Sequence, residues 1–165
     1  MALSQNVITS LKILFVCLGN ICRSPAAHGT MQHLINKYNL TNIEVDSAGT
    51  SSWNVGNLPD ERMRSAGITR GIQLNHRARQ VNQKDFQYYD LIIAMDDNNY
   101  NTLRKVGDNK YNDKIKKMIN FINDTKYKQY TEIPDPYYGD TDDFYNVLDL
   151  VYEGCMGILK QYNYI

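Results

Sequence analysis

The sequence predicts an α/β fold in which helices flank a parallel β-sheet. Two short apolar runs, Leu11–Leu18 and Asp90–Met95, have the length and nearly continuous hydrophobicity of strands buried on both faces. Helical patterns alternate with these runs, and such alternation is typical of parallel βαβ units. The chain has 165 residues, of which 42% are hydrophobic and 22% charged, a size and composition that suit one globular domain spanning residues 1–165.

The elements follow from local patterns along the chain. The first strand, Leu11–Leu18, ends in a glycine-containing turn, and Ser24 and Pro25 then suit the N-cap and first position of a helix that continues to Tyr38. The remaining predicted elements are strand Ile43–Ser47, helix Glu61–Ala66, helix Asn82–Tyr88, strand Asp90–Met95, helix Asn98–Val106, strand Ile115–Ile122, loop Asp124–Thr141 and helix Asp142–Tyr162. Cys155 lies on the apolar stripe of the last helix, which predicts a core position.

Charge and cysteine content argue against several classes of protein. Eighteen basic and eighteen acidic residues give a formal net charge of zero, which does not favour nucleic acid or an anionic membrane as partner. The longest apolar run is far shorter than the roughly 20 residues of a membrane helix. The first ten residues lack the pattern of a secretory signal. Three cysteines argue against a disulfide framework, so we expect a cytoplasmic, membrane-free protein whose cysteines serve chemistry.

The loop between the first strand and the first helix carries the strongest chemical signal. In an open parallel sheet, ligands bind beyond the carboxyl ends of the strands, and a helix N-terminus there favours a bound oxyanion. Gly19 and Asn20 tolerate unusual backbone angles, which would allow the loop to fold its N–H groups inward. The five residues between Cys17 and Arg23 would let the guanidinium meet two oxygens of an oxyanion that lies above the sulfur.

The same surroundings should stabilise a thiolate at Cys17, because a helix N-terminus and an arginine favour the charged sulfur. The hydroxyl of Ser24 would hydrogen-bond to that sulfur, or stabilise it as a leaving group. This constellation suits nucleophilic displacement at phosphorus through a covalent cysteinyl-phosphate.

Two other interpretations of the region are disfavoured. The nucleotide-binding pattern GxxxxGK[ST] is absent. A zinc site is also disfavoured, because Cys17 and Cys22 lack the spacing of a zinc knuckle and His28 and His33 are five residues apart rather than four. We therefore predict no metal ligands.

Two motifs resemble those of the low-molecular-weight protein tyrosine phosphatases. Val16–Pro25, VCLGNICRSP, is similar to the family's signature loop, and Asp135–Tyr138, DPYY, to its acid loop. Further similar segments are Asp46–Gly49, Ser52–Gly56, His76–Gln80 and Ala94–Asp96. The resemblance covers about Leu11 to Leu159, apart from the detail of residues 109–133, and leaves residues 1–10 as an N-terminal extension.

The resemblance implies a three-layer fold: a four-stranded parallel sheet flanked by helices, with the phosphate-binding loop after the first strand. It implies Cys17 as nucleophile, Arg23 as phosphate clamp and Asp135 as general acid and then base. The substrates would be phosphotyrosine proteins and small aryl phosphates such as p-nitrophenyl phosphate, with inorganic phosphate as product. The resemblance also implies an acid phosphatase that needs no metal or cofactor, and we expect a monomer.

The family assigns supporting roles to other positions. The residues expected to bind phosphate or support the loop are Leu18, Gly19, Asn20, Ile21, Cys22, Ser24, Ser47 and His76, of which Asn20, Ser47 and His76 resemble a hydrogen-bond network. Trp53, Tyr137 and Tyr138 resemble pocket walls that admit a phenyl ring and keep a short phosphoserine from the sulfur. Without the resemblance, Trp53 is better explained as a core residue, His76 as a structural histidine and Asp135 as a turn residue.

Two regulatory expectations also come from the resemblance. Cys22 would form a reversible disulfide with Cys17 under peroxide, and mass spectrometry would detect that bond. The alternative is that Cys22 is a buried residue that only fills space in the core. Tyr137 and Tyr138 would be phosphorylation sites.

Two rival functions fit parts of the pattern. A thiol redox enzyme such as an arsenate reductase can share the fold and loop, but it needs resolving cysteines, and 73–101 contains none. A module that binds phosphotyrosine without turnover would not need Cys17, Arg23 and Asp135 together.

Overall fold

The computed structural model describes residues 10–165, in which β-strands alternate with α-helices. The strands are β1 (Leu11–Cys17), β2 (Ile43–Gly49), β3 (Leu91–Ala94) and β4 (Ile115–Lys117). The helices are α1 (Arg23–Lys37), α2 (Glu61–Thr69), α3 (Gln83–Tyr88), α4 (Asp97–Val106) and α5 (Thr141–Gln161). The predicted N-terminal extension lies outside the described residues, apart from Ser10.

The four strands form one parallel sheet in the order β2-β1-β3-β4. Strand β1 is therefore central, with Cys17 opposite Gly49 of β2 and Val16 opposite Ala94 of β3. This arrangement confirms the predicted α/β class and the four-stranded parallel sheet. It also places the end of β1 between two neighbouring strands.

Helices cover both faces of the sheet, so the fold has three layers. Ile13 and Phe15 of β1 belong to a core shared with α1, α2 and α5. Leu14 and Val16 point to the opposite core, which includes Phe86 of α3 and residues of α4. Burial of each such side chain contributes roughly 1.5–3 kcal/mol, and burial on both faces explains why β1 has a continuous apolar sequence. No helix within residues 10–165 is both long and apolar enough to span a membrane.

The start of α1 differs from the prediction. The helix begins at Arg23, its N-cap is Cys22, and no side chain caps it. Ser24 is therefore inside the first turn, and Pro25 occupies the third helical position rather than the first. The predicted capping role of Ser24 is wrong because its buried hydroxyl bonds to Asn20 instead.

The fourth strand is shorter than predicted. Strand β4 ends at Lys117, and Met118–Phe121 form a 3₁₀-helix. Met118 is buried against α5, where a Cβ added to Gly154 would lie 2.6 Å from its methyl carbon. The apolar residues after Lys117 therefore contact this helix instead of extending the sheet.

Candidate active site

The predicted catalytic side chains meet near the carboxyl end of β1. Cys17 is the last residue of this strand, and residues 18–22 connect it to α1. Strand β2 is two residues longer than predicted and ends at Gly49, opposite Cys17. Backbone hydrogen bonds from Thr50 to the Cys17 carbonyl (2.9 Å) and from Ser51 to the Leu18 carbonyl (3.0 Å) fix the start of the loop. This edge is where open parallel sheets bind ligands.

Two different properties of the loop residues set its backbone path. Asn20 has φ +56°, a left-handed conformation that asparagine adopts more readily than most residues. Gly19 does not have a positive φ, contrary to the prediction that paired it with Asn20. A Cβ at Gly19 would instead lie 2.7 Å from Nδ2 of Asn54. A side chain at this position would therefore require the Asn54 side chain to move.

The loop offers unpaired backbone donors. Within the described residues, none of the N–H groups of residues 19–23 donates a hydrogen bond. The first turn of α1 contains no acidic residue. Because a helix N-terminus carries positive potential, these donors suit a bound oxyanion.

Ser24 connects the sulfur to a buried hydrogen-bond network. Its hydroxyl lies 3.0 Å from Sγ of Cys17 and accepts a 2.8 Å hydrogen bond from Nδ2 of Asn20. The same amide donates to Oγ of Ser47 (3.0 Å), and Oδ1 of Asn20 accepts from the backbone N–H of Arg79 (3.1 Å). Because every polar atom of the buried Asn20 side chain is paired, the network holds one loop conformation.

Arg23 lies beneath the cavity between two carboxylates. Nη1 donates to Oδ2 of Asp96 (2.7 Å) and to the carbonyl of Ile133 (3.1 Å), and Nη2 lies 3.7 Å from Oδ2 of Asp135. Burial opposes its charge, but Cys17, Asp96 and Asp135 outweigh that effect and raise the pKa of Arg23. A fixed guanidinium of this kind suits recognition of two oxyanion oxygens.

Asp135 borders the same cavity from the proline-rich loop before α5. Its side chain is 46% exposed, so the carboxyl group can exchange protons with solvent or with a bound group. Oδ1 accepts a 3.1 Å hydrogen bond from the N–H of Tyr137. The carboxylate therefore has a fixed place, and Oδ2 lies beside the guanidinium of Arg23.

The cavity has a volume of about 270 Å³ and an aromatic rim. Its lining residues are Cys17, Leu18, Gly19, Ile21, Cys22, Arg23, Trp53, Asn54, Asp135, Tyr137 and Tyr138. Trp53 is 79% exposed and Tyr138 is 95% exposed, so the alternative of a core role for Trp53 is wrong. Tyr137 and Tyr138 pack edge to face at 4.9 Å, and the Arg62 guanidinium lies 5.5 Å from the Tyr137 ring. An apolar rim above polar donors suits a flat ring that carries an anionic group.

His76 and Ser47 lie behind the loop, outside the cavity. A ring nitrogen of His76, Nε2, lies 3.1 Å from the carbonyl oxygen of Ser47. The Ser47 hydroxyl contacts both Asn20 and Nδ1 of His28, the latter at 3.0 Å. The structure therefore joins Asn20, Ser47 and His76 in one network, with His28 as a member that sequence reasoning missed.

Two further charged residues were not assigned a role from the sequence. Asp96 anchors Arg23. Arg79 donates to Asp46 (3.1 Å) and makes two bonds to Asp85 (2.9 and 3.0 Å), and these contacts raise its pKa despite the opposing effect of burial. Both lie in segments that resemble the family. Asp96 follows β3, and Arg79 lies beside β2. Because parallel strands end at a common edge, these positions could have indicated that both residues lie near the site.

The other two cysteines differ in position. Cys22 lines the cavity and is buried, and burial, reinforced by Asp60 and Cys17, raises the pKa of its thiol well above the ordinary range. A disulfide with Cys17 remains a prediction. Cys155 is fully buried on α5, and its thiol contacts the carbonyl of Ala27 at 3.6 Å, which confirms its core position.

One cluster in residues 10–165 has the composition of a metal site, and it consists of His28, Asp46 and His76. It lies outside the cavity. The spacing of His28 and His33 disfavours a zinc pair between them, and the structure brings His28 next to His76 instead.

Comparison with known proteins identifies similar chains. The family model described as low molecular weight phosphotyrosine protein phosphatase matches residues 12–164. A putative low molecular weight protein-tyrosine-phosphatase from Synechocystis is 44% identical over 150 residues, covering 90% of this chain and 94% of the relative.

Solved structures show the same similarity in three dimensions. A protein tyrosine phosphatase from Entamoeba histolytica, with Hepes in its active site, superposes with a TM-score of 0.88 at 42% identity, covering 94% of this chain and 98% of that one. A Drosophila arginine phosphatase superposes with a TM-score of 0.85 at 34% identity, with coverages of 92% and 98%.

Proposed function

Because the chain belongs to the low molecular weight phosphotyrosine protein phosphatase family, and is thus a hydrolase, we propose that it cleaves aryl phosphates through a cysteinyl-phosphate on Cys17. One observation carries this mechanism. A single cavity contains the Cys17 sulfur, the Arg23 guanidinium and the Asp135 carboxyl group, next to a loop with unpaired N–H groups.

In the first step, the phosphoryl group occupies the loop and its oxygens accept hydrogen bonds from the N–H groups of residues 19–23. Arg23 pairs with two of these oxygens and compensates the charge of the transition state. The sulfur of Cys17 attacks phosphorus as the bond to the aryl oxygen breaks. Asp135 donates its proton to that oxygen, so a neutral phenol leaves instead of a phenolate.

In the second step, water replaces the phenol. Asp135, now a carboxylate, accepts a proton from the water as its oxygen attacks phosphorus. The S–P bond breaks, the electron pair returns to Cys17, and inorganic phosphate is released. The Ser24 hydroxyl, 3.0 Å from the sulfur, donates a hydrogen bond to the departing thiolate.

The rim supports phosphotyrosine as the substrate class. Trp53, Tyr137 and Tyr138 offer ring faces and edges to a phenyl group. A phosphoserine has a much shorter side chain and would leave these contacts unmade. Phosphoarginine is a second candidate, because a structurally similar chain is an arginine phosphatase. Its planar guanidinium would also pack against aromatic side chains.

The contacts of Cys155 support hydrolysis over a thiol relay. A redox enzyme of this fold needs a relay of resolving thiols, and besides Cys22, which shares the cavity with Cys17, the sequence offers only Cys155. Cys155 is fully buried in the core on α5 and contacts Ala27. Its burial also raises the pKa of its thiol, and a protonated thiol is a poor nucleophile.

The proposed function is tested by assays of p-nitrophenyl phosphate, a phosphotyrosine peptide, a phosphoserine peptide and phosphoarginine, each with and without a chelator. We expect turnover of the two aryl phosphates at equal rates with and without chelator, and loss of turnover in Cys17→Ser. The control is Cys155→Ser, which leaves the loop intact. Turnover that survives Cys17→Ser rejects the mechanism, and faster cleavage of phosphoarginine than of phosphotyrosine rejects the substrate class.

A further inference from the structure

Two imidazoles converge on one carboxylate behind the phosphate-binding loop. Nδ1 of His76 lies 3.5 Å, and Nδ1 of His28 lies 4.0 Å, from Oδ1 of Asp46. The two ring centroids are 4.8 Å apart. The three side chains are 19–27% exposed, so the group is half-buried but open to a small ion.

The hydrogen bond of His76 determines which ring nitrogen carries a lone pair. Nε2 lies 3.1 Å from the carbonyl oxygen of Ser47, which can only accept. Nε2 of His76 therefore carries the hydrogen, and Nδ1 of the neutral ring is an acceptor. This acceptor faces Oδ1 of Asp46, which is also an acceptor. In a neutral ring two lone pairs would face each other at 3.5 Å, and either a proton on Nδ1 or a bound cation relieves that repulsion.

The surrounding contacts match those that orient metal ligands. A metal-bound histidine usually donates its other N–H to a carbonyl or carboxylate, and a metal-bound carboxylate is itself hydrogen-bonded. His76 has the first arrangement through Ser47. Asp46 has the second, because Oδ1 accepts from the N–H of Ser47 (2.8 Å) and Oδ2 accepts from Arg79 (3.1 Å).

The charge of Arg79 does not cancel the attraction for a cation. Its guanidinium makes two bonds to Asp85. The group formed by Asp46, Arg79 and Asp85 therefore has a net negative charge, and Oδ1 of Asp46 is turned toward the histidines.

A small opening adjoins the cluster. A surface cavity of about 90 Å³ is bordered by His28, His76, Gln32 and Asn75. It gives an ion a way in and leaves space for a water molecule as a further ligand.

We propose that His28, Asp46 and His76 form a binding site for a divalent transition metal such as Zn²⁺. Two imidazole nitrogens and one carboxylate oxygen are ligands that zinc prefers, and the fourth position would be open to water. Zinc bonds of about 2 Å place tetrahedral ligands roughly 3.3 Å apart. The ligand atoms of the three residues lie within 4.8 Å of one another, so the most distant pair would approach by up to about 1.5 Å to bind one ion.

Metal binding at this site would change a hydrogen bond that supports the phosphate-binding loop. Nδ1 of His28 contacts the Ser47 hydroxyl at 3.0 Å, and that hydroxyl accepts a hydrogen bond from Asn20. A metal bound to Nδ1 of His28 would replace this contact and release the hydroxyl. The site therefore links a metal ion to the residue that fixes the loop, without contact with the cavity.

The test is calorimetric titration of ZnCl₂ into chelator-treated Cys17→Ser protein, which lacks the thiol proposed as nucleophile. We expect one zinc ion per chain. His28→Gln and Asp46→Asn in this background should each weaken zinc binding by about tenfold or more. His33→Gln, a substitution on the same helix but outside the cluster, should leave the affinity unchanged.

A second measurement does not depend on the folding of the variants. In the Cys17→Ser protein, NMR signals of the His28 and His76 rings should shift at one equivalent of zinc, while those of His33 stay in place. The proposal is overturned if zinc does not bind stoichiometrically, or if His28→Gln leaves the affinity unchanged. A His76 ring that binds a proton near neutral pH while zinc leaves its signals unmoved also overturns it, because a proton then supplies the positive charge.

Discussion

The carboxylate of Asp96 accepts a 2.7 Å hydrogen bond from Nη1 of Arg23, and both side chains are largely buried. The two residues are 73 positions apart and meet because β1 and β3 are neighbours in the sheet. Oδ1 of Asp96 also caps helix α4 by accepting a 2.7 Å bond from the N–H of Asn99. One side chain thus fixes both the guanidinium and the start of the next helix.

Asp96→Asn should weaken binding of inorganic phosphate by about tenfold, or roughly 1.4 kcal/mol. Asparagine is also a good N-cap, so helix α4 should stay intact while the charge that orients Arg23 is lost. The measurement is the inhibition constant of phosphate against p-nitrophenyl phosphate. Asp97→Asn is the matched control, because Asp97 pairs with Lys117 at the surface, away from Arg23. An unchanged inhibition constant in Asp96→Asn would mean that Arg23 does not depend on this anchor.

Asp135→Ala should lower kcat for phenyl phosphate by about 100- to 10,000-fold, while the inhibition constant of phosphate changes little. The reason is that the carboxyl group transfers protons and lies 3.7 Å from Arg23 without a close hydrogen bond to it. Steady-state kinetics on both quantities separate chemistry from binding. The control is Asp142→Asn, at an exposed position in the first turn of α5. Equal turnover in Asp135→Ala and the parent protein would remove Asp135 as the acid.

Asn20→Gly and Asn20→Ala should separate backbone strain from lost hydrogen bonds. Both substitutions remove the bonds to Ser24 and Ser47, so both should lower kcat/KM. Either residue must adopt φ +56°, a conformation that is free of strain for glycine and costs alanine roughly 1–2 kcal/mol. Urea unfolding should therefore give a lower free energy of unfolding for Asn20→Ala than for Asn20→Gly. Equal stabilities would show that the loop changes its backbone path when the amide is lost.

The sheet could be predicted because its strands are continuous apolar runs. Burial on both faces leaves no polar position in the middle of β1 or β3. The resulting continuous apolar run can be recognised from the sequence alone. The prediction made strand β4 too long. The hydrophobic residues after Lys117 form a 3₁₀-helix that packs on α5 instead of continuing the strand. Hydrophobic periodicity reports burial, and it does not say which element supplies the partner surface.

The loop could be predicted as a local motif, but its supports could not. Cys17, Asn20, Arg23 and Ser24 lie within eight consecutive residues. Asp96 reaches Arg23 only through the packing of β3 beside β1. The contact between His28 and His76 likewise joins residues that are far apart in the sequence. Contacts of this kind depend on tertiary structure, and a single sequence carries no spacing signal for them.

Protonation of His28 should make the fold less stable at low pH. Burial, the nearby His76 and Arg79 lower the pKa of His28 from 6.5 to about 4, although Asp46 acts in the opposite direction. The unfolded chain therefore binds this proton first, so the free energy of unfolding falls as the pH drops from about 7 to about 4. A shift of this size corresponds to roughly 3 kcal/mol.

His28→Gln should remove this contribution, and its stability should depend less on pH than that of the parent chain. The check is urea unfolding at about pH 7.5 and about pH 4.5 with a chelator present. His33→Gln is the comparison and should retain the parent's dependence. An equally steep loss of stability in His28→Gln would assign the effect to other groups.

If phosphorus bonds covalently to the sulfur of Cys17 during turnover, chemical trapping should recover the phosphorylated enzyme. In Asp135→Ala, p-nitrophenolate leaves without help, while attack by water on the intermediate loses its base. We predict that acid quenching during turnover, followed by peptide mass spectrometry, finds one phosphoryl group on the peptide that contains Cys17. Product release with no phosphoryl group on the enzyme, or with the group on another residue, would rule out Cys17 as the nucleophile.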